Sequence, residues 1–409
     1  MLVFFLNRFL MIKNAKKLKS RKTILSKIAV HWANYFEKKE VKAVVKVERI
    51  NQDVLELIAV CIDFPCRLIN RFRWCGGRNI YKAVEKLVNE GLVKRYRKDG
   101  INSLRVTKKG KFYLTKVNEK RFSGNDEKRK YGKSERKKRI RIHRIASTYL
   151  MMQNAGIKIY VDEKPNIFSQ EGMGETIVDN PLFYSSYEIK DLGIECKKIK
   201  FTRAVGMMIT KDNLGFIVYN TEDSLIKWSS DAEQRLYGVI TSILLRSYIQ
   251  IDDLYAIMIG SSMDSIKKQL LSKGGPQNSY FRLDSTYSQF YFIPEDKNGD
   301  LLLRFLSDTN RRKKMREAVL NNYSVDTGTL PFASDGVDDK GRVTLLAYEL
   351  DMEKIRKFKS GIELFEQQGK VICFEFQKKV LEEYFEGLVD IVVLDNNWLE
   401  GDMNLNEKQ

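Results

Sequence analysis

The feature that most constrains the fold of this 409-residue chain is how glycine and proline divide residues 51–116 into short segments. Apolar residues recur at helical spacing between positions 54 and 61 and predict a first helix there. Pro65 ends this helix, because proline lacks an amide proton and clashes with the backbone in a helix interior. A second short helix is expected over residues 66–72, and Cys75-Gly76-Gly77 supplies the turn after it.

A third helix and a hairpin complete the segment. The helix is expected over residues 79–89, and Gly91 stands where a helix C-terminus favours a left-handed residue. Residues 92–97 and 101–106 predict two strands, and the Asp99-Gly100 pair between them is a strong hairpin signal. Three helices followed by a hairpin is the element order of a winged helix-turn-helix, which is the fold we predict here.

The charge of the chain is divided unevenly between its two parts. The whole sequence has 72 Lys+Arg against 53 Asp+Glu, a formal net charge of +19. Residues 1–150 have 40 basic and 13 acidic residues, a net +27, which leaves 32 and 40, a net −8, for the rest. A basic front of this size predicts a polyanionic partner, and the winged helix indicates DNA.

The expected DNA contacts follow from the way such a module docks. Its third helix lies in the major groove with N-terminal side chains near the base edges, where Arg can read guanine and Asn adenine. The candidates for this role are Arg73, Arg78, Asn79 and Lys82. Phosphate contacts are expected on and after the wing, from Lys98, Asn102, Arg105, Lys108 and Lys109. The alternative is a winged helix that contacts only protein.

The segment Arg121–Arg144 is a second basic region, with eleven Lys+Arg against three acids. It is interpreted either as a solvated linker or as a basic arm or helix start that contacts the DNA backbone. The candidates for backbone contact are Arg136, Lys137, Lys138, Arg139 and Arg141. A third cluster, residues 311–316, is predicted to form either a solvated helix face or a further contact with DNA or an acidic partner.

After residue 144 strands and helices alternate, which predicts an α/β body. Strands are expected at 205–210, 214–219, 255–259, 289–293, 343–348, 371–376 and 390–394. Helices are expected at 145–155, 231–248, 262–271, 309–320, 352–367 and 377–387, and a polar loop at 321–340. The predicted organisation is a basic leader (1–45), the winged helix-turn-helix (46–120), a basic linker (121–144) and an α/β domain (145–400).

Several segments of the body carry a resemblance to a known family. They are Phe183–Lys190, Arg203–Gly206, Val218–Thr221, Trp228 and Glu233. With the winged helix before it, the chain resembles the replication-relaxation proteins of Gram-positive plasmids and integrative elements. The resemblance implies DNA binding in replication or transfer of a mobile element, and a body with a restriction-endonuclease-like fold. At the places where that family often carries an Arg-Pro-Asp-like turn and a strand with an acid, this chain lacks the metal-binding carboxylates, which indicates a degenerate body.

A nuclease site is the main catalytic alternative. Asp179, Glu188 and Lys190 imitate the acid-x-Lys arrangement in which carboxylates hold a metal ion and a lysine assists the nucleophile. However, Ser185 and Glu188 also form a capping-box pattern, which predicts a helix start instead. With only two histidines, His31 and His143, a His-rich zinc site or a two-His metal motif at helical spacing is excluded, and we expect neither a metal nor a cofactor.

These observations together predict a sequence-specific, non-catalytic protein that binds double-stranded DNA. Its expected setting is replication, conjugative transfer or transcriptional control of a bacterial mobile element in the cytoplasm, with a homodimer and replication or transfer proteins as further partners. No membrane span is expected, because the apolar run at residues 1–12 is shorter than the roughly 20 residues that spanning requires. The alternatives are a metal-dependent nuclease or nicking enzyme, and an adaptor whose acidic body recruits a protein.

Overall fold

The computed structural model describes residues 48–73, 80–122, 136–168, 178–190, 202–321, 323–325 and 333–400. The chain forms two compact units, Met1–Gln52 and Asp53–Gln409. All the elements below lie in the second unit, except the first residues of the first helix.

The N-terminal elements follow the order that the sequence predicts. They are α1 (Arg49–Cys61), β1 (Phe64–Pro65), a 3-10 helix (Cys66–Arg71), α2 (Ile80–Asn89), β2 (Val93–Lys98) and β3 (Ile101–Val106). The three strands form one antiparallel sheet in the order β1-β3-β2, so the strand after α1 pairs with the outgoing strand of the hairpin.

Local sequence explains where α2 and the hairpin begin and end. The buried residues of α2 are spaced as i, i+3, i+4 and i+7, which gives the helix one apolar face: Ile80, Ala83, Val84 and Leu87. Gly91 closes the helix in the left-handed conformation (φ +71°), and the Leu92 amide donates to the Leu87 carbonyl at 2.9 Å. Asp99 and Gly100 both have positive φ, so the hairpin turn has the geometry that favours Asp-Gly.

Three helices follow the hairpin: α3 (Lys108–Val117), α4 (Glu119–Phe122) and α5 (Arg136–Asn154). The Thr107 hydroxyl caps α3 by accepting a hydrogen bond from the Gly110 amide at 3.1 Å. Helix α5 ends before Gly156, as predicted, but begins nine residues earlier than the predicted start at residue 145. Residues 145–152 are all buried and 136–138 are all exposed, so the two ends of α5 have different environments.

The first sheet of the body has five strands in the order β4-β5-β6-β7-β8. Their bounds are Leu182–Ser185, Gly206–Ile209, Gly215–Glu222, Leu254–Gly260 and Phe290–Pro294. Strands β4 to β6 are antiparallel neighbours, whereas β6, β7 and β8 are parallel. The connection from β6 to β7 contains the amphipathic helix α7 (Ser230–Arg246), and the short helix α6 (Ser186–Ile189) follows β4.

The second sheet has the order β13-β12-β11-β10-β9. Its strands are Ser324–Val325, Gly336–Val337, Val343–Leu346, Gly369–Phe374 and Val389–Leu394. Strands β11, β12 and β13 are parallel, and their connections contain α11 (Met352–Leu364) and α12 (Glu375–Phe385). The remaining helices are α8 (Ser265–Leu270), α9 (Lys297–Leu306), α10 (Thr309–Leu320) and α13 (Asn397–Glu400).

The predicted α/β class is confirmed, and every predicted strand and helix of the body is present within a few residues, except that α5 begins nine residues early. Strand β4 and helix α9 were not predicted from the sequence. Strands β9 and β10 lie within 321–340, which the sequence predicts to be a polar loop. Asp335 in this segment is 1% exposed, so the prediction of a solvated acidic loop is wrong at this residue.

Candidate nucleic-acid interface

The outer face of α2 is polar and open to solvent. Tyr81, Lys82, Glu85 and Lys86 are exposed, because the positions between them are the ones that pack into the core. Tyr81 is 50% exposed, an unusual fraction for a large aromatic side chain that follows directly on the buried Ile80. This face therefore presents lysines and one aromatic ring to solvent.

The β2–β3 hairpin, which we call the wing, carries more exposed cations than α2 does. Lys94, Arg95, Arg97 and Lys98 on β2 are all exposed, and Arg95 forms an ion pair with Glu85 of α2. Among the described residues, no carboxylate lies within ion-pair distance of Lys94, Arg97 or Lys98. Of the four exposed cations of β2, only Arg95 is thus paired with a described carboxylate, and the wing surface is positive.

The first turn of α3 continues this surface. Lys108 and Lys109 are both exposed, and Lys109 donates to the Glu90 carbonyl oxygen at 2.8 Å. Two lysines at a helix N-terminus oppose the helix dipole, which favours anions there. These lysines therefore do not stabilise α3 through its dipole, and they leave positive charge beside the wing.

Beneath the wing lies a buried ionic cluster, which we call the Asp63 hub and define as Asp63, Ser103, Arg105, Arg139 and His143. Asp63 is fully buried between α1 and β1. Its carboxylate accepts hydrogen bonds from the Ser103 hydroxyl (2.5 Å), Arg105 Nε (2.7 Å) and Arg139 Nε (3.0 Å). His143 Nε2 lies 3.2 Å from the second carboxylate oxygen.

The hub determines the protonation of Asp63. Burial by itself would raise the pKa of Asp63. The hydrogen bonds from His143, Arg105, Ser103 and Arg139 outweigh burial and hold this pKa well below its ordinary value. Asp63 is thus an anion at neutral pH, and its carboxylate binds two guanidinium groups under the wing.

The structure corrects two of the predicted phosphate contacts. The side chains of Arg105 and Arg139 are 12% and 2% exposed and are bound to Asp63. Arg105 also stacks on the Tyr96 ring at 3.6 Å. Their charge is engaged inside the fold, so neither guanidinium group is presented to a phosphate.

Arg73, a predicted base-reading residue, is also held by the protein. Its Nε lies 3.3 Å from the Asp300 carboxylate, which also accepts from Arg71 at 2.8 Å and from Asn154 at 2.8 Å. Arg67 likewise pairs with Glu295 at 2.6 Å. These contacts fasten the 3-10 helix and the residues after it to the body. The other predicted base-reading residues, Arg78 and Asn79, lie outside the described residues.

The remaining predicted contacts are at the surface. Lys82, Lys98, Asn102, Lys108 and Lys109 are exposed. The same holds for four basic residues of the first turns of α5: Arg136, Lys137, Lys138 and Arg141. Sequence reasoning found these residues but missed Asp63, because its partners lie 40 to 80 residues further along the chain and leave no local signal.

The residues of the nuclease alternative have structural roles or lie in solvent. Glu188 accepts hydrogen bonds from the Ser185 amide (2.8 Å) and hydroxyl (3.0 Å), so the predicted capping box is present. Glu188 also pairs with the buried Lys164 amino group at 2.8 Å. Asp179 and Lys190 are exposed. Within the described ranges, no group of three or more His, Cys, Asp or Glu side chains could hold a metal ion.

A second buried polar cluster lies in the first sheet of the body. The Tyr219 hydroxyl donates to Glu233 at 2.6 Å and lies 2.8 Å from the Tyr287 hydroxyl. Burial raises the pKa of Glu233 to about 7, although the hydrogen bonds from Tyr219 and the Arg203 amide act in the opposite direction. These groups satisfy one another inside the fold, which indicates a structural role for the cluster.

The basic cluster on α10 is mostly neutralised. Arg312 makes two hydrogen bonds of 2.9 Å to Glu349 and one of 3.0 Å to the Tyr291 hydroxyl. Arg316 and Lys354 both pair with the buried Asp335, and Arg311 donates to the Trp398 carbonyl. Lys313 and Lys314 remain exposed, so the predicted solvated face is limited to part of the helix.

No protein-family model, curated protein or solved structure matches this chain. In the part of the chain that the structure describes, no helix is both long and apolar enough to cross a membrane.

Proposed function

We propose that residues 49–122 form a winged helix-turn-helix and that the protein binds double-stranded DNA through it. The element order supports this proposal, as does the β1-β3-β2 sheet in which a short strand after the first helix pairs with the wing. In this geometry α2 is the recognition helix and the β2–β3 hairpin is the wing.

The observation that carries the proposal is the exposed, unneutralised positive charge of the wing. Residues 80–122 contain 13 Lys+Arg and 4 Asp+Glu, a net +9. Six of these cations lie on α2 and β2 and are exposed, because the apolar residues of α2 face the core. This positive charge would neutralise phosphates of a DNA duplex and release the counterions condensed on them.

Sequence preference would come from α2. Its exposed Lys82 and Lys86 are positioned to reach base edges in the major groove, where a lysine can donate to guanine O6 and N7. Lys94, Arg97, Lys98 and Lys108 would contact phosphates, which set the register of the protein on the duplex without reading the sequence.

We propose a non-catalytic body with the restriction-endonuclease-like strand order of three antiparallel strands, a helix and a parallel strand. The order β4-β5-β6, α7 and β7 supports it. Along β5 and β6 the only acid is Glu222, and its carboxylate pairs with Arg67 at 3.2 Å and Arg144 at 3.1 Å. The proposed setting remains replication, transfer or transcriptional control of a mobile element in the bacterial cytoplasm, with a homodimer and replication or transfer proteins as partners.

The test is equilibrium binding of the full chain to a labelled 30-base-pair duplex over a range of NaCl concentrations. We expect the logarithm of the association constant to fall linearly with the logarithm of salt, with a slope of about −4 or steeper if five or more phosphates are neutralised. Selection from a random duplex pool then tests sequence preference. Absence of binding at 50 mM NaCl, or a slope near zero, would refute the proposal.

A further inference from the structure

The Asp63 hub connects two basic surfaces that the sequence separates by about 40 residues. Arg139 of α5 donates through Nη1 to the Lys98 carbonyl at 2.7 Å, and through Nη2 to the Ile101 carbonyl at 3.3 Å. These carbonyls flank the wing turn, Asp99-Gly100. Arg139 therefore holds both sides of the turn while its Nε is bound to Asp63.

The same contact places the first turn of α5 beside the wing. Helical rise is about 1.5 Å per residue, so the backbone of Arg136 lies within about 5 Å, along the axis, of that of Arg139. Arg136, Lys137 and Lys138 are exposed at this end of the helix. Among the described residues, no carboxylate lies within ion-pair distance of these three side chains.

The hub itself has more cationic than anionic groups. One carboxylate serves two guanidinium groups, and the remaining N–H donors of Arg139 are satisfied by the wing carbonyls and the Ser103 hydroxyl. A buried charge pair of this kind is a costly way to gain stability, because desolvation offsets much of the attraction. The arrangement does fix the position of the β2–β3 turn relative to the N-terminal end of α5.

We propose that the Asp63 hub positions the wing against the first turn of α5, so that the two form a single phosphate-binding surface on duplex DNA. The inference rests on the proposed DNA-binding function and deepens it. Arg139 and Asp63 act here as positioning residues, and the phosphates are contacted by Lys98, Lys137 and their exposed neighbours. The surface thus extends past that of the winged helix alone.

Arg139→Lys tests the positioning role because it keeps the charge but cannot span the carboxylate and both carbonyls. We expect the duplex affinity of the full chain to fall about tenfold, while the salt slope stays within about 0.5 of the wild-type value because no phosphate contact is removed. Lys137→Ala is the matched variant that removes one proposed phosphate contact. The magnitude of its salt slope should be about 0.9 smaller than that of the wild type. Lys314→Ala on α10 removes an exposed charge far from the hub in sequence and should change neither quantity.

Hydrogen exchange of the wing amides, measured without DNA, supplies a readout independent of binding. The amides of residues 97–102 should exchange at least several-fold faster in Arg139→Lys than in the wild type. If Arg139→Lys does not fold, Ser103→Ala takes its place, since it removes one hydrogen bond from Asp63 and one from Arg139 without a change of charge.

The outcomes separate the two proposals. If the wild type binds no duplex, the DNA-binding function and this inference both fail, whereas the exchange data still report whether the hub orders the wing. If the wild type binds and a folded hub variant has unchanged affinity, the positioning role is wrong. An unchanged slope for Lys137→Ala would exclude the first turn of α5 from the interface.

Discussion

The wing and helix α10 are both short and rich in basic residues, but the fold uses their charges in opposite ways. On α10, Arg312 and Arg316 each have a carboxylate partner from a neighbouring segment, Glu349 and Asp335. On the wing, no described carboxylate lies within ion-pair distance of Lys98 or its cationic neighbours Lys94 and Arg97. We therefore propose a nucleic-acid interface at the wing and not on α10, since on α10 carboxylates of neighbouring segments pair with two of the cations.

The difference also depends on the type of cation. On α10, Arg312 and Arg316 are the residues that pair with carboxylates of other segments, and an arginine can make two hydrogen bonds to one carboxylate through its planar fork. Lysine is more common on the outer surfaces of α2, the wing and α3. Lysine is more strongly hydrated and acts as a point charge, which suits a surface that is exposed to water before it binds a polyanion.

The largest effect that would test this comparison is on stability. Arg312→Ala removes a largely buried guanidinium group, which takes from Glu349 its two hydrogen bonds and from the Tyr291 hydroxyl the one that it accepts. We expect the free energy of unfolding to fall by about 3 kcal/mol, measured by denaturant titration. Lys314→Ala on the same helix should stay within about 0.5 kcal/mol. A loss of DNA affinity in folded Arg312→Ala would contradict the distinction drawn here.

The next effect is on binding. Replacing Lys94, Arg97 and Lys98 together by alanine should weaken duplex binding about 100-fold at 0.15 M salt and reduce the salt slope by about 2.7, because three phosphate contacts are lost. Stability should change little, since these side chains are exposed. If the triple variant binds as tightly as the wild type, the wing is not part of the interface.

Two buried carboxylates, Glu233 and Asp63, should make the stability of the fold depend on pH. The pKa of Glu233 is raised by burial to about 7, so the folded state holds its proton more tightly than the unfolded state does. Its contribution to stability is therefore lost as pH rises from about 4.5 to 7. Glu233→Gln should remove that dependence and raise stability at pH 8 by on the order of 2 kcal/mol, as checked by thermal unfolding at pH 5 and pH 8.

The dependence of stability on pH that Asp63 contributes has the opposite sign to that of Glu233. The pKa of Asp63 lies below the ordinary value, so this carboxylate stabilises the fold above pH 4, and this contribution is lost as the pH falls further. Asp63→Asn should make acid unfolding less steep while lowering stability at pH 7. An acid transition with the wild-type slope in Asp63→Asn would show that the carboxylate is not the group that titrates.

The smallest effect concerns specificity. Lys82→Gln on α2 should change the preference between a selected site and its single-base variants by about 1 kcal/mol. Lys98→Ala on the wing should weaken binding to all sites by a similar factor. Competition binding with the two site sets separates these outcomes, and a uniform effect of Lys82→Gln would exclude base reading at this position.

Local signals made most of the fold predictable. Pro65, Gly91 and Asp99-Gly100 impose backbone conformations that few other residues adopt, so the elements between them follow from the sequence. Strand β4 was missed because it has only four residues and the capping box of Ser185 and Glu188, which predicts a helix start, begins at its last residue.

The candidate site was less predictable than the fold. Arg105 and Arg139 have the composition expected of phosphate contacts, and only the tertiary contact with Asp63, 42 and 76 residues away, shows that they are buried. Asp335 was assigned to a solvated loop for the same reason, since its partners Arg316 and Lys354 come from two different helices. Charge pairing over long sequence separations leaves no local signature.

Helix α5 bears on how this protein can be divided. The first turns of α5 contact the wing, whereas residues 145–152 are buried in the body, so a single helix packs against both parts. A fragment ending at residue 120 would lose Arg139 and His143 and leave Asp63 with only Ser103 and Arg105 of its hub partners. The proposed winged helix-turn-helix is therefore not a module that can be separated from the rest of the chain, and any transfer of it to another protein would have to include α5.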